Sequence, residues 1–237
     1  MPDIIYEDNH LLVVVKPPNL LTQGDATGDE CLVEQMKCYV GEKYQKPGAV
    51  YLGLVHRMDR PVGGLIVLAR TGKAAARLSE QLRSHAMKRE YLAVVHGTDI
   101  PDAGTLRDFL QKDESNGNVR VVLEGTSGAK EAILHFETLA RNAEDGTALL
   151  HVRLETGRKH QIRVQLKHCG HPIVQDMRYG EGKTGEPIAL WGALLRLSHP
   201  TKKEPMAFVS HPKGKAYLPY SQAIDGFLTQ FAQGGTP

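Results

Sequence analysis

Residues 104 to 156 constrain the fold more than any other part of the chain. Four segments follow one another there, TLRDFL, NVRVVL, KEAILHFETLA and TALLHVRLET, separated by Gly, Asn and Asp turns. Consecutive strands joined by short turns pair antiparallel, because a parallel pair needs a long crossover. Further elements surround this block without regular alternation. IIYEDNHLLVVVKPP reads as a strand, a turn at Asp8-Asn9 and a buried strand stopped by Pro17-Pro18. LIVLAR and KREYLAVVHG read as strands, and ALLRLSHP with PMAFVS as a closing hairpin. Leu32, Met36, Tyr39 and Val40 stand at helical spacing despite Gly41, and KAAARLSEQLRSHAM is an amphipathic helix. GRKHQIRVQLKHCG reads as a helix ended by Gly170, and a last helix is expected over 219–232. Runs of strands broken by a few helices predict an α+β fold on a mixed, mostly antiparallel sheet with flanking helices and loops. With no repeat, low-complexity block or linker, residues 1–237 are expected to form a single domain.

The three cysteines, Cys31, Cys38 and Cys169, are odd in number and contain no CxxC, so they read as buried thiols rather than a disulfide framework or structural zinc site. No segment reaches the roughly 18 apolar residues of a membrane span. MPDIIYEDNH carries acids where a secretion signal carries bases, so a cytoplasmic protein without membrane contact is expected. A net charge of +2 with 11 His is too balanced for a protein that coats nucleic acid nonspecifically. Basic residues would have to cluster.

Several kinds of chemistry fail on spacing. GEGKTG at 180–185 resembles a phosphate-binding loop, but Met177 stands where that motif needs Gly. His160, His168 and His171 have neither an HExxH pattern nor a cysteine pair or acidic cluster to complete a metal shell, so no metal is expected. GTSG at 125–128 lacks the spacing of a nucleophile elbow.

Three basic, polar clusters remain: HRMDR at 56–60, KREY at 88–91 and TGRKHQIR at 156–163. Cations beside a carboxylate favour its charged form, which is a poor general acid but a usable nucleophile or base. A surface ion pair would look the same in sequence.

VHRMDRPVGGLIVLART closely resembles the HRLDRPTSG-type signature of the RluA family of pseudouridine synthases. Three more stretches resemble family segments, in the family's order: LLVVVKPPNLLTQ the KPxGL segment, KREYLAVVHG the KxYxAxxxG strand, and TGRKHQIRVQLKHCGHPIVQD the TGRxHQxRxHxxxxGxPIxGD segment. Together they cover roughly residues 4–210.

The resemblance implies that Asp59 is the carboxylate that attacks uridine and that Arg163 reaches it to keep it ionised and oriented. It implies that Tyr91 stacks on the base and takes part in proton handling, although a plain core role is also physically reasonable. Arg57 would enter the space left by the extruded base and contact phosphate, with His56 beside it or only shaping the loop. Arg60, Lys88, Arg89, Arg158, Lys159, His160 and Gln161 complete the expected RNA contacts. Asp59 could attack C6, attack C1′ or remove the 2′ proton. The isomerisation involves no redox change or net hydrolysis, so no cofactor is demanded. Met58, Asn19, Gly63 and Gln175 depart from the family's Leu, Gly, Ser or Thr, and Gly. Asn19 is a substitution that a left-handed turn tolerates. No N-terminal S4 domain, which many relatives carry, is expected here. The expectation is a stand-alone, monomeric synthase acting on uridine in an rRNA or tRNA stem-loop. A catalytically silent RNA-binding protein and a small-molecule enzyme with phosphate contacts are the alternatives.

Overall fold

The computed structural model describes residues 1–183 and 186–232; Thr184 and Gly185, the end of GEGKTG, lie outside the described residues. The chain condenses into two compact units interleaved along the sequence. The first takes Met1–Lys88, Gly192–Ser210 and the described residues from Thr229 on; the second takes Arg89–Trp191 and His211–Leu228.

In the first unit, β1 (Asp3–Glu7) and β2 (Leu11–Lys16) form an antiparallel hairpin. Its turn is held by Asp8, whose Oδ1 accepts from the amides of His10 and Leu11 at 2.7 Å each. All six residues of β2 are buried, as expected of a strand covered on both faces. β2 pairs antiparallel with β4 (Gly63–Ala69), whose other neighbours are the two-residue β3 (Gly53–Leu54) and β10 (Leu190–Ser198). β10 and β11 (Pro205–Val209) form the expected closing hairpin.

Two backbones nearly touch at Gly64, where a Cβ would lie 2.4 Å from backbone atoms of Gly192 and φ is +127°. Only glycine fits both conditions. α1 (Leu32–Lys43) buries Leu32, Val33, Met36 and Val40. α2 (Gly72–Arg83) buries Ala74 and Leu78, and starts where the Thr71 hydroxyl accepts from the Ala74 amide at 3.1 Å, a standard N-cap.

The second unit is built on five strands in the order β5-β9-β8-β6-β7: β5 (Lys88–His96), β6 (Ala103–Lys112), β7 (Val119–Val122), β8 (Lys130–Asn142) and β9 (Thr147–Leu154). All four pairings are antiparallel, so the turn-separated block from 104 to 156 folds as its pattern predicts. α3 (Gln161–His168) carries six consecutive buried residues, Gln161 to Leu166. The mixed, mostly antiparallel α+β architecture is therefore the one expected.

Two expectations need correcting. Only Cys31 is buried; Cys38 and Cys169 are exposed. Cys38 lies off the face of α1 that buries Met36 and Val40, and Cys169 caps the C-terminus of α3 just before Gly170. The last helix is also shorter than expected: a 3-10 turn, Lys215–Tyr220, precedes α4 (Ser221–Ala232), with Pro219 inside the 3-10 segment. Proline cannot donate the amide that a continuing α-helix requires. Among the described residues no helix is long and apolar enough to cross a membrane.

Candidate active site

Asp59 sits in the first unit on the irregular segment between β3 and β4, partly buried, in a turn closed by the Val62 amide on the Asp59 carbonyl at 3.0 Å. The backbone is tied down on both sides of it. Ahead of it, Met58 is buried, its carbonyl accepts from the Thr22 hydroxyl at 2.9 Å, and its amide donates to the same oxygen at 3.3 Å. After it, the Arg60 carbonyl accepts from Lys16 Nζ at 3.0 Å. The same ammonium donates to the carbonyls of Pro17 at 2.9 Å and Leu20 at 2.8 Å, so three acceptors meet its three protons.

Lys16 is fully buried. Burial pushes its pKa down to about 7, Asp59's charge pulls it back up, and Arg60 adds to the depression. Neither Lys16 nor Thr22 is among the site residues expected from sequence. Two signals were available for Lys16: it is the lysine of the stretch that resembles KPxGL, and it ends an otherwise apolar run.

The flanking groups divide by exposure. Arg57 is exposed and its side chain makes no hydrogen bond or ion pair with the described residues; the same is true of the Lys88 side chain at the start of β5. Arg60 lies in a half-exposed ion pair with Asp29 at 2.7 Å, and its Nε donates to the Asn19 carbonyl at 3.2 Å. Asn19 has φ 66°, so the left-handed turn expected there is present. His56 is buried, and its Nε2 accepts from the Val67 amide at 3.3 Å, a bond that shapes the loop against β4.

In the second unit, Tyr91 is 6% exposed on β5, in register with Val152 of β9. Its neighbour Glu90 points to the opposite face of the strand, where its carboxylate meets His151 Nε2 at 2.6 Å. KREY and TGRKHQIR come together at Gly157, where a Cβ would lie 2.8 Å from Arg89 Nη2; the glycine makes room for that guanidinium.

Gln161 is buried and holds the TGRK loop from inside. Its Oε1 accepts from the Arg158 amide at 2.9 Å and the Thr156 hydroxyl at 2.8 Å, and its Nε2 donates to the Ile133 carbonyl at 3.0 Å. Arg158 and Lys159 are exposed at the loop's surface, where Arg158 Nε donates to the Glu131 carbonyl at 2.8 Å and Lys159 Nζ to the Gly117 carbonyl at 3.0 Å. His160, left-handed at φ 54°, starts α3, and its Nδ1 lies 2.7 Å from the Tyr179 hydroxyl.

Arg163 is 5% exposed and forms a two-pronged pair with Asp176, Nε to Oδ2 at 2.8 Å and Nη2 to Oδ1 at 2.7 Å. Burial alone would raise the Asp176 pKa. Arg163's hydrogen bond and charge, with the amides of Arg178 and Tyr179, hold it below the ordinary range instead. Gln175, standing where the family has Gly, has φ 61°, a conformation that explains why glycine is usual there.

A family model described as RNA pseudouridylate synthase matches residues 10–168, which include β2, the Asp59 loop, Tyr91 and α3. The chain belongs to the RNA pseudouridylate synthase family. Within that family it is 35% identical over 204 residues to a protein of Bacillus subtilis named uncharacterized RNA pseudouridine synthase YhcT, covering 85% of this chain and 66% of that one. It is 34% identical over 224 residues to ribosomal large subunit pseudouridine synthase D of Xylella fastidiosa, covering 88% of this chain and 65% of that one. The chain thus spans just under two thirds of the length of these relatives. The solved structure of human RNA pseudouridylate synthase domain containing 1 shares the fold at TM-score 0.74 and 22% identity, over 100% of this chain and 97% of that one.

Proposed function

We propose that this protein is an RNA pseudouridine synthase with Asp59 as its catalytic carboxylate and Tyr91 and Arg163 acting on the same uridine. The observation that carries this reading is the double anchoring of the Asp59 backbone, by Thr22 at Met58 and by Lys16 at Arg60. A carboxylate that must meet one ring atom gains from a backbone that does not move. The reaction breaks the N1–C1′ bond, turns the uracil while it is retained, and forms a C5–C1′ bond; the C5 proton leaves and N1 gains one.

Arg57, Lys88, Arg158 and Lys159 are the candidates for phosphate contact, supported by their exposure, with Arg60 and Arg89 as further candidates. His56, His160 and Gln161 serve as supports for the two loops. Relatives named for the large ribosomal subunit make an rRNA stem-loop the first substrate to try, and a tRNA stem-loop the second. We read residues 1–237 as one catalytic module working in the cytoplasm as a monomer, without a cofactor.

Tritium release from C5-labelled uridine in RNA tests this directly. Asp59→Asn is expected to reduce release to background while the protein still binds RNA and melts as the wild type does. Activity retained within about tenfold would remove Asp59 from the chemistry. A wild type that binds the stem-loop but releases no tritium would favour the RNA-binding alternative. Release from free UMP but not RNA would favour the small-molecule enzyme.

A further inference from the structure

The Arg163 guanidinium is held by more than Asp176. It lies over the ring of Tyr179 at 5.2 Å from the centroid, within cation–π range. That ring sits in a buried apolar cluster with Leu110 of β6, Val119 of β7, Ala132 of β8 and Val164 of α3. Its hydroxyl accepts the Val119 amide at 2.9 Å and meets His160 Nδ1 at 2.7 Å. Asp176 is fixed in turn, because its Oδ1 also accepts the amides of Arg178 at 2.9 Å and Tyr179 at 3.1 Å. Two side chains from one short turn, Asp176 and Tyr179, therefore set the plane and height of one guanidinium. The same hydroxyl fastens that turn to β7 and to the first residue before α3.

We propose that Asp176 and Tyr179 are positioning residues that act through Arg163, Asp176 fixing the plane of its guanidinium and Tyr179 supporting its face. The proposal rests on the reading that Arg163 serves catalysis, and predicts which further side chains that role requires. A planar cation with one edge on a carboxylate and one face on a ring can present its remaining edge in only one direction. Nothing in this arrangement requires either residue to touch RNA, so their loss should slow turnover without weakening binding.

Single-turnover rates and RNA affinities are compared for Asp176→Asn, Tyr179→Phe and Arg163→Lys, and for each of the first two combined with Arg163→Lys. Asp176→Asn should slow turnover by about a hundredfold, the scale of a misplacement by an ångström, with RNA affinity within twofold of wild type. Tyr179→Phe keeps the ring and loses only the hydroxyl. It should slow turnover by about tenfold, the kinetic equivalent of one hydrogen bond, and speed hydrogen exchange at the Val119 amide. Combined with Arg163→Lys, neither substitution should cost more than a further twofold, because the group they position is already gone. Losses that multiply would overturn the proposal, as would Asp176→Asn and Tyr179→Phe turning over within twofold of wild type while Arg163→Lys is crippled. Near-normal turnover by Arg163→Lys would instead remove Arg163 from catalysis and the proposal with it. If Asp176→Asn does not fold, Tyr179→Phe decides, since it leaves the ion pair intact.

Discussion

Lys16 has no exposed surface, three carbonyls around its ammonium and a pKa pushed down to about 7. In the unfolded chain the group titrates near its ordinary 10.5, so between about pH 7 and 10.5 the unfolded state holds the extra proton. The cost of burying the charge is present in full below that window and is relieved as pH rises through it. Unfolding free energy of the wild type should therefore rise across this range relative to Lys16→Met, which lacks the titrating group. Activity should move the other way, because a neutral amine has two protons for three carbonyls and holds the Arg60 carbonyl less firmly. Urea melts and tritium-release rates of both proteins from pH 6 to 10 would check this; parallel stability curves would mean that Lys16 does not titrate there. The sequence displayed Asp59 through its flanking arginines, but it gave little sign of what holds Asp59 in place. Thr22 is 36 residues before Met58 and Lys16 is 44 before Arg60, contacts that no local spacing reports.

At the scale of elements, local pattern sufficed wherever an element closes on itself. α2 carries its apolar face, with the buried Ala74 and Leu78, along its own length, and the four strands from β6 to β9 display their turns. It failed where a distant partner decides, as at β3, whose two residues are a strand only because Ala69 and Leu68 of β4 lie opposite. Asp8 combines both cases. Its Oδ1 holds the β1–β2 turn, while Oδ2 reaches His199, beyond the end of β10, at 2.8 Å. Burial would raise its pKa, but those amides, His199 and Tyr6 outweigh that and lower it to about 2. The folded value lies below the ordinary 3.8, so the stabilisation is complete above about pH 4 and is lost as pH falls towards 2. Asp8→Ala should lower stability at pH 7 by about 1–3 kcal/mol and flatten the acid limb of the stability curve, measurable by urea titration at pH 7 and pH 3. An equal loss at both pH values would assign the effect to packing. Gly64→Ala should be more damaging, by about 3 kcal/mol, because neither backbone at 2.4 Å can yield cheaply.

For the whole molecule, the interleaving of the two units means that no single cut in the chain separates the Asp59 loop's unit from that of Tyr91 and Arg163. The charge distribution supports a sharper prediction about RNA. A net charge of +2 supplies almost no general attraction, so affinity must come from individual cations. The structure divides the basic residues of the three motifs. Arg163 is buried against Asp176, and Arg60 is shared with Asp29, whereas Arg57 and Lys88 are exposed and bonded to no described side chain. Each phosphate neutralised on a single-stranded segment contributes about −0.7 to the slope of log affinity against log salt. Arg57→Gln and Lys88→Gln should each make that slope shallower by about 0.7, and Arg60→Gln by less, since Asp29 already offsets its charge. A stem-loop with an unpaired target uridine should be modified faster than the same uridine in a perfect duplex, because it need not be unpaired before extrusion. Filter binding between 50 and 200 mM salt, about the range over which such slopes are read, would measure the first effect and tritium release the second. Slopes unchanged by Arg57→Gln and Lys88→Gln would move the phosphate contacts to other cations, Arg158 and Lys159 first, because both are exposed on the TGRK loop that Gln161 holds from inside.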